Sequence, residues 1–400
     1  MDDTRFVREK LDQAGQLLDP FGLDLWLTFV QETGLRGDPA LVLIYPHEVT
    51  WQSAFLVGRG GERLAIVGRY DAAAVRDLNA FTEVIAYDES VRPKLVEALR
   101  RLRPATVALN FSRNDPAADG LSHGMKLVLD EILAEAGIGA ERVISSEGFL
   151  ASLRGRKTPA EVDAIRQAVS RTETLLDEVG PQIRPGLTER QLAGFLHERM
   201  RSENLSPAWA LEGNPIVTTG PSEEAPGHAG PTDRPIEPGH LVHLDFGLQL
   251  DGFCADLQRM WYVLGPGETQ PPGELQRVWD GVREALLAGA AALRPGKRGW
   301  EVDQVARQTL VRRGLPEYLH AFGHHLGRAV HDGATVLGPR WERYGETPNG
   351  IVEAGNVFAI ELGAPVPGMG WIYLEEDVHV ADDGLAWLSR PQTRLRLVRV

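Results

Sequence analysis

Asp245 and Asp256 stand eleven residues apart in LVHLDFGLQLDGFCADLQRMWYV (241–263), both among apolar residues, where an unpaired carboxylate is costly. Asp251-Gly252 between them is a two-residue hairpin signal. A turn there sets Leu250 opposite Phe253 and Asp245 opposite Gln258, with Asp256 one diagonal step away on the same face. Two carboxylates sharing one face of apolar strands need a cation between them or a shifted protonation. A solvated face is the other reading that the hairpin alone leaves open. Imidazoles follow in HAFGHH (320–325), where the spacing of His320 and His324 imitates a zinc-binding HExxH helix. Ala321 takes the place of the glutamate that such a helix requires, and Gly323 weakens the helix, which excludes that site. Two later runs, NVFAIELG (356–363) and WIYLEEDVHV (371–380), place Glu361, Glu375 and Glu376 amid apolar residues on either side of the turn-rich APVPGMG. Acids in such strands need a reason to be there.

The elements that must position these residues fall into two groups. Helical and strand patterns alternate first: Phe6–Leu18 is amphipathic, and ALVLIY (40–45), RLAIVG (63–68) and TVALNF (106–111) are short apolar runs read as strands, a pattern expected of a small α/β domain. Periodicity fades around 145–157. Thr158-Pro159-Ala160-Glu161 then opens a long helical pattern with a candidate N-cap, a proline at the first helical position and a capping acid. Domains are therefore expected at 1–152 and 153–400. Helical patterns recur after Thr188, over 273–293 and over 300–313, and their mixture with hairpins makes the larger domain α+β. Formal charge is −14, from 42 Lys+Arg against 56 Asp+Glu, so nucleic acid is not an expected partner. No apolar run approaches the roughly 20 residues of a membrane span, and the first residues lack a signal-peptide core. A soluble, cytoplasmic protein without a membrane partner is expected. The single cysteine, Cys254, excludes an internal disulfide and any multi-cysteine metal site, leaving His and carboxylates as ligands.

Taken in order, Asp245, Asp256, Gly323-His324, Glu361 in FAIELG and Glu375 in LEEDV resemble the five metal ligands of the pita-bread metallopeptidases, and most closely those of the two-domain Xaa-Pro dipeptidases and aminopeptidases P. LRGRKTPAEVDAIRQA, NPIVTTG (214–220) and EAGNVFAIELG share in the resemblance. It implies a creatinase/prolidase-type N-terminal domain, a pita-bread catalytic domain, and two divalent ions, Mn²⁺ first and Co²⁺ or Zn²⁺ as alternatives. Four carboxylates against two divalent ions give a near-neutral cluster in which a bridging water deprotonates near neutral pH. By the same resemblance Asp245 binds one ion and His324 the other. Asp256, Glu361 and Glu375 hold or bridge both, and Glu361 accepts the proton of the attacking water. His228 in EEAPGHAG matches the flexible-loop histidine, and His331 in RAVHD matches the histidine that meets the substrate or the developing oxyanion. Glu375 is preferred to Glu376, because choosing Glu376 turns the flanking apolar residues over. The implied activity is exopeptidase cleavage of a peptide substrate, Xaa-Pro-directed, by a homodimer.

Several positions depart from that pattern. The family's Glu-Pro-Gly is Glu361-Leu362-Gly363 here, its Gly-His-Gly is Gly323-His324-His325, its His-Glu is His331-Asp332, and its Thr-Arg-Thr is Gln258-Arg259-Met260. Tyr373 stands where an arginine often binds the substrate or its carboxylate. GPRWERYGETPNG (338–350) lengthens the connection between His324 and Glu361. Arg36 is a candidate carboxylate clamp in the N-terminal domain, and Cys254 reads as a small apolar filler. Carboxypeptidase-like terminal specificity, a non-catalytic binding role and creatinase-like carbon–nitrogen hydrolysis remain alternatives.

Overall fold

The computed structural model describes residues 3–222, 227, 230–382 and 384–399. The chain divides into two compact units, Met1–Ala160 and Glu161–Val400. The break expected near Ser152 instead falls inside a helix, Glu147–Gly155, whose Phe149, Leu150 and Leu153 are buried in the first unit.

The first unit comprises α1 (Asp3–Leu18), β1 (Leu25–Val30), β2 (Ser53–Gly58), β3 (Arg63–Gly68), α2 (Ala72–Asp77), β4 (Glu83–Tyr87), α3 (Arg92–Leu102), β5 (Val107–Leu109), α4 (His123–Glu135), β6 (Val143–Ser145) and α5 (Glu147–Gly155). Its sheet runs β4-β3-β2-β1-β5-β6. Alternate strand residues feed two cores. Trp26, Phe55, Val57, Ala65 and Val67 pack with α1, α2 and α5, while Leu25, Leu27, Leu56, Leu64 and Ile66 pack with α3 and α4. Helices thus cover both faces, and strands buried on both faces read as continuous apolar runs. ALVLIY, expected as a strand, is a 3₁₀ turn over Leu41–Leu43. Asp38 Oδ1 accepts the Ala40 N–H at 2.8 Å to start that turn, and Pro46 brings no N–H to a ladder.

The second unit holds α6 (Pro159–Val179), which starts at the end of the first, α7 (Glu189–Ser202), β7 (Ser206–Pro207), β8 (Ile216–Thr219), β9 (Leu241–Phe246), β10 (Leu248–Leu250), β11 (Phe253–Cys254), β12 (Leu257–Val263), α8 (Gly273–Ala292), α9 (Gly299–Arg312), β13 (Gly323–His325), β14 (Val357–Val366), β15 (Gly370–Ala381), β16 (Gly384–Trp387) and β17 (Arg396–Val398). Thr188 caps α7 in a reciprocal capping box with Gln191. The main sheet runs β13-β14-β15-β12-β9-β8, with β16 beside β15 and β17 beside β12. The hairpin register follows the expected arithmetic, Leu250 facing Phe253 and Asp245 facing Gln258. Asp251 and Gly252 take φ values of 50° and 77°, the positive angles that a tight hairpin turn needs. Phe358, Ile360 and Leu362 of β14 pack with Val278, Val282 and Leu286 of α8 in the core, so the odd-numbered Glu361 projects from the opposite face. Among the described residues no helix is long and apolar enough to cross a membrane.

Candidate metal centre

Register alone aligns the acids. Glu361 pairs with Glu375, Glu375 with Gln258, and Gln258 with Asp245, giving one row across β14, β15, β12 and β9. His324 enters from β13, where Gly323-His324-His325 is extended rather than helical. Asp256, in the link between β11 and β12, points into the same cluster. His324 Nε2 lies 3.8 Å from Asp256 Oδ2 and 3.8 Å from Glu375 Oε1, and these three side chains offer ligand atoms within 4.8 Å of one another.

The donor set fits a divalent cation. His324 Nδ1 faces the carbonyls of Val330 at 3.1 Å and His325 at 3.3 Å. Carbonyls only accept, so Nδ1 carries the proton and the Nε2 lone pair points at carboxylate oxygens. Lone pair against lone pair is repulsive unless a cation lies between them. Among the described residues Asp245 Oδ1 and Asp256 Oδ1 are likewise buried without a hydrogen-bond partner, and such oxygens need one. Burial pushes all four carboxyls up from their ordinary range, and at Asp245, Asp256 and Glu375 neighbouring carboxylates push them further. Burial, with His331 adding to it, lowers His324 to about 3, so the imidazole is neutral and able to ligate at neutral pH.

Glu376 occupies the other face of β15. It accepts from Arg259 at 3.0 Å, Ser389 Oγ at 2.6 Å and the Gln392 N–H at 2.8 Å. The geometry therefore groups Glu375, not Glu376, with Asp256 and His324. His331 sets its ring edge-to-face on His324 at 4.4 Å between centroids. His228 lies outside the described residues. Arg36 is exposed in the first unit, in the turn after Glu32. Cys254 is buried and unpaired, and burial pushes its thiol up to about 12, which leaves it a neutral filler.

Four residues join the site that the acid pattern did not single out for a role. Gln258 donates from Nε2 to Glu375 Oε2 at 2.9 Å and Glu361 Oε2 at 3.1 Å, and its Oε1 lies 2.9 Å from His243 Nε2. Asp377 Oδ2 accepts the Asp256 N–H at 3.0 Å. Tyr318 donates to Glu361 Oε2 at 3.4 Å. Asp377 and His243 were discoverable, since each shares strand parity with an acid two residues away. Tyr318 carried no sequence signal, because it arrives on an irregular segment. Tyr373 stands in an aromatic wall, 5.4 Å from His243, 5.8 Å from Trp371 and 6.4 Å from Tyr318 between centroids. Gly363 permits that wall, since a Cβ there would come within 2.5 Å of the Tyr373 ring. Beside the wall is a cavity of about 230 Å³, lined by His243, Trp371, Thr218, Leu241, Glu189 and Arg234 among others.

Fold and cluster define a class: an α+β protein of the pita-bread type carrying carboxylates and a histidine on one face of its larger sheet. Within it, the chain belongs to Metallopeptidase family M24, whose profile matches residues 163–382. It is 28% identical over 253 residues to an Xaa-Pro dipeptidase of Lactobacillus helveticus, covering 63% of this chain and 64% of that protein. The chain thus aligns with a little under two thirds of that relative's length. An uncharacterized peptidase of Staphylococcus aureus is 26% identical over 360 residues, 89% of this chain and 90% of the other. Among solved structures, a dipeptidase from Mycobacterium ulcerans superposes with a TM-score of 0.75 at 23% identity, over 100% of this chain and 99% of that one. An Xaa-Pro dipeptidase from Bacillus anthracis gives 0.74 at 22%, over 98% and 99%. At these identities the structural likeness establishes the fold.

Proposed function

We propose that this protein is a dinuclear metal-dependent exopeptidase that releases the residue preceding proline. The observation that carries the reading is the buried cluster in which His324 Nε2 lies 3.8 Å from both Asp256 Oδ2 and Glu375 Oε1. Membership of family M24 and the name of the Lactobacillus helveticus relative support peptide hydrolysis and its direction. Asp245, Asp256, His324, Glu361 and Glu375 would hold two divalent ions, Mn²⁺ first on the oxygen-rich donor set and Co²⁺ or Zn²⁺ as alternatives. When bound, such ions polarise a scissile carbonyl and acidify water.

The chain's own groups do the rest. By the family resemblance Glu361 accepts the proton of the attacking water. Gln258 and Tyr318 both donate to Glu361 Oε2 and leave Oε1 for that proton. His331, held on His324, donates toward charge developing on the substrate oxygen, and His228 contributes from the substrate loop. The flat wall of Trp371, Tyr373 and His243 excludes water and takes a proline ring by apolar contact.

Tyr373 also favours a second reading, a different terminal preference, because a phenol gives a substrate carboxylate no charge at that position. A homodimer acting in the cytoplasm completes the proposal. The dimer rests on the family resemblance, and a single unpaired cysteine suits a reducing compartment.

The test is mass-spectrometric product mapping on peptides with and without proline, as dipeptides and longer chains. The protein is stripped of metal and reloaded with Mn²⁺, beside Asp256→Asn. Release of the first residue before proline, lost in Asp256→Asn, is expected. Release from the other end establishes the second reading, and no cleavage despite bound Mn²⁺ sinks both in favour of a binding or creatinase-like role.

A further inference from the structure

The segment that delivers Tyr318 to Glu361, residues 315–321, contains no helix or strand. Tyr318 is 6% exposed while its neighbour Leu319 is 64% exposed, so one side chain turns into the site and the next into solvent. A loop of this kind has no ladder to fix its height, and a phenol 3.4 Å from its acceptor stands near the limit of a hydrogen bond. Something outside the loop must set that distance.

Three consecutive carbonyls of the loop are held by two guanidiniums. Arg307 donates from Nη1 to the Tyr318 carbonyl and from Nη2 to the His320 carbonyl, the latter at 2.7 Å, and Arg343 Nη2 donates to the Leu319 carbonyl. Arg307 is itself fixed on α9 by both oxygens of Asp303 at 2.8 Å, and Asp303 also accepts the Phe322 N–H at 3.2 Å. The Phe322 carbonyl in turn accepts the Glu361 N–H at 2.7 Å. Among the described residues Arg343 pairs with no carboxylate and donates instead to the Tyr344 hydroxyl at 3.2 Å. Its guanidinium lies over the Trp341 ring at 4.8 Å and over the Tyr344 ring at 4.9 Å, and Arg307 lies over the same Trp341 ring at 5.0 Å. Trp341 and Tyr344 stack at 6.3 Å with 20° between their planes. Trp341, Arg343 and Tyr344 all come from the extra residues between His324 and Glu361. One aromatic ring therefore gathers both arginines that grip the loop, through cation–π contact and planar stacking that a lysine would not reproduce.

We infer that Tyr318 is a positioning residue for Glu361, and that segment 338–350 sets its position through Trp341, Arg307 and Arg343. Tyr318 and Gln258 cap the same oxygen of Glu361 from two sides, which fixes the rotation of the carboxylate and the direction of Oε1. The inference rests on the proposed role of Glu361, and it makes the extra segment a brace for the acid rather than a decorated rim.

The experiment is a double-mutant cycle between Trp341→Ala and Tyr318→Phe on the full-length protein, read by kcat, KM and the Mn²⁺ dissociation constant from calorimetry. Hydrogen exchange across 315–322 is followed in parallel. Tyr318→Phe is expected to lower kcat about tenfold with KM unchanged and to weaken Mn²⁺ binding about threefold, since carboxylate orientation rather than substrate contact is lost. Trp341→Ala is expected to speed exchange in 315–322, to leave exchange in α8 as it was, and to reproduce part of the Tyr318→Phe loss. In the double mutant the effects do not add, because both act through one contact. Trp341→Tyr restores the stacking surface and with it most of the wild-type values. Arg343→Met repeats the Trp341→Ala result at an exposed position where misfolding is not at issue. Unchanged exchange in both Trp341→Ala and Arg343→Met overturns the brace, and strict additivity in kcat and in Mn²⁺ affinity overturns its link to Tyr318. If wild-type protein cleaves no peptide, the proposed function fails, while the exchange and Mn²⁺ measurements still decide the brace.

Discussion

Glu375 and Glu376 are adjacent, chemically alike and both buried, yet the strand sends them to opposite faces and to opposite work. Glu375 meets His324 and Gln258, whereas Glu376 meets Arg259, Ser389 and the Gln392 N–H. Glu375→Gln should therefore lower the Mn²⁺ bound per chain while the denaturation midpoint without metal holds or rises, because a repelling charge has gone. Glu376→Gln should keep the Mn²⁺ content and cost about 1–3 kcal/mol of stability, the usual range for disturbing buried charge-assisted hydrogen bonds. Elemental analysis and urea denaturation of both variants check this, and a reversed pattern would mean that the wrong glutamate has been placed in the site. In the first unit, Asp38 shows what burial does when no cation among the described residues stands at hydrogen-bond distance. Its carboxyl accepts from Asn110 Nδ2 and the Ala40 N–H, each at 2.8 Å, yet burial pushes it up to about 6. A carboxyl raised in the folded state favours folding below its ordinary value near 4, and that contribution is lost as pH rises through about 6. The resulting cost at neutral pH is about 3 kcal/mol. Carboxyl-carbon NMR should place the Asp38 midpoint near 6, and the stability of the first unit should fall over the same window. A midpoint near 4 would remove the effect.

At the scale of elements, the sheet is tied to α6 by Arg259. Its side chain is 2% exposed and sits 3.0 Å from Glu376 of β15 and 3.4 Å from Glu173 of α6. It also donates to the carbonyls of Gln258 and Glu375 at 2.9 and 3.1 Å. Removing the cation from a buried pair leaves uncompensated charge, so Arg259→Met should destabilise the second unit by about 3–5 kcal/mol. Burial already raises Glu376, and without Arg259 it rises further. The loss should therefore be smaller at pH 5 than at pH 8, as denaturation at the two pH values would show. Which elements were legible follows from the same physics. The hairpin 241–263 could be registered from sequence because Asp251-Gly252 fixes the turn and a strict period of two then fixes each facing pair. ALVLIY misled because a six-residue apolar run carries no period, and its form was decided by Asp38 and Pro46 at its edges. The five ligand candidates were visible as acids and a histidine amid apolar residues. The brace on Tyr318 was not, since it is assembled from α9, residues 315–321 and residues 338–350, and no spacing in one segment announces a contact among three.

For the whole molecule, the gathering of Asp245, Asp256, Glu361 and Glu375 on one sheet face makes divalent cations the expected folding partner of the second unit under the proposed function. Without them these acids remain ionised against burial and mutual repulsion, or they bind protons. Either route sets the stability of that unit against its own site. A cation that binds the folded form alone adds RT ln(1 + [L]/Kd), about 3 kcal/mol at a hundredfold excess over Kd. The first unit has its own sheet and two cores and includes none of the five candidate ligands, so metal should leave it unmoved. Calorimetric scans should accordingly resolve a transition that climbs with Mn²⁺ and falls with chelator, beside one indifferent to both, and a single stability for the chain is then not defined. Asp256→Asn identifies the responsive transition, because it should abolish the metal shift while leaving the other peak in place. If both transitions climbed together, metal would be stabilising the chain as one cooperative body, and the site would no longer be a property of the second unit alone.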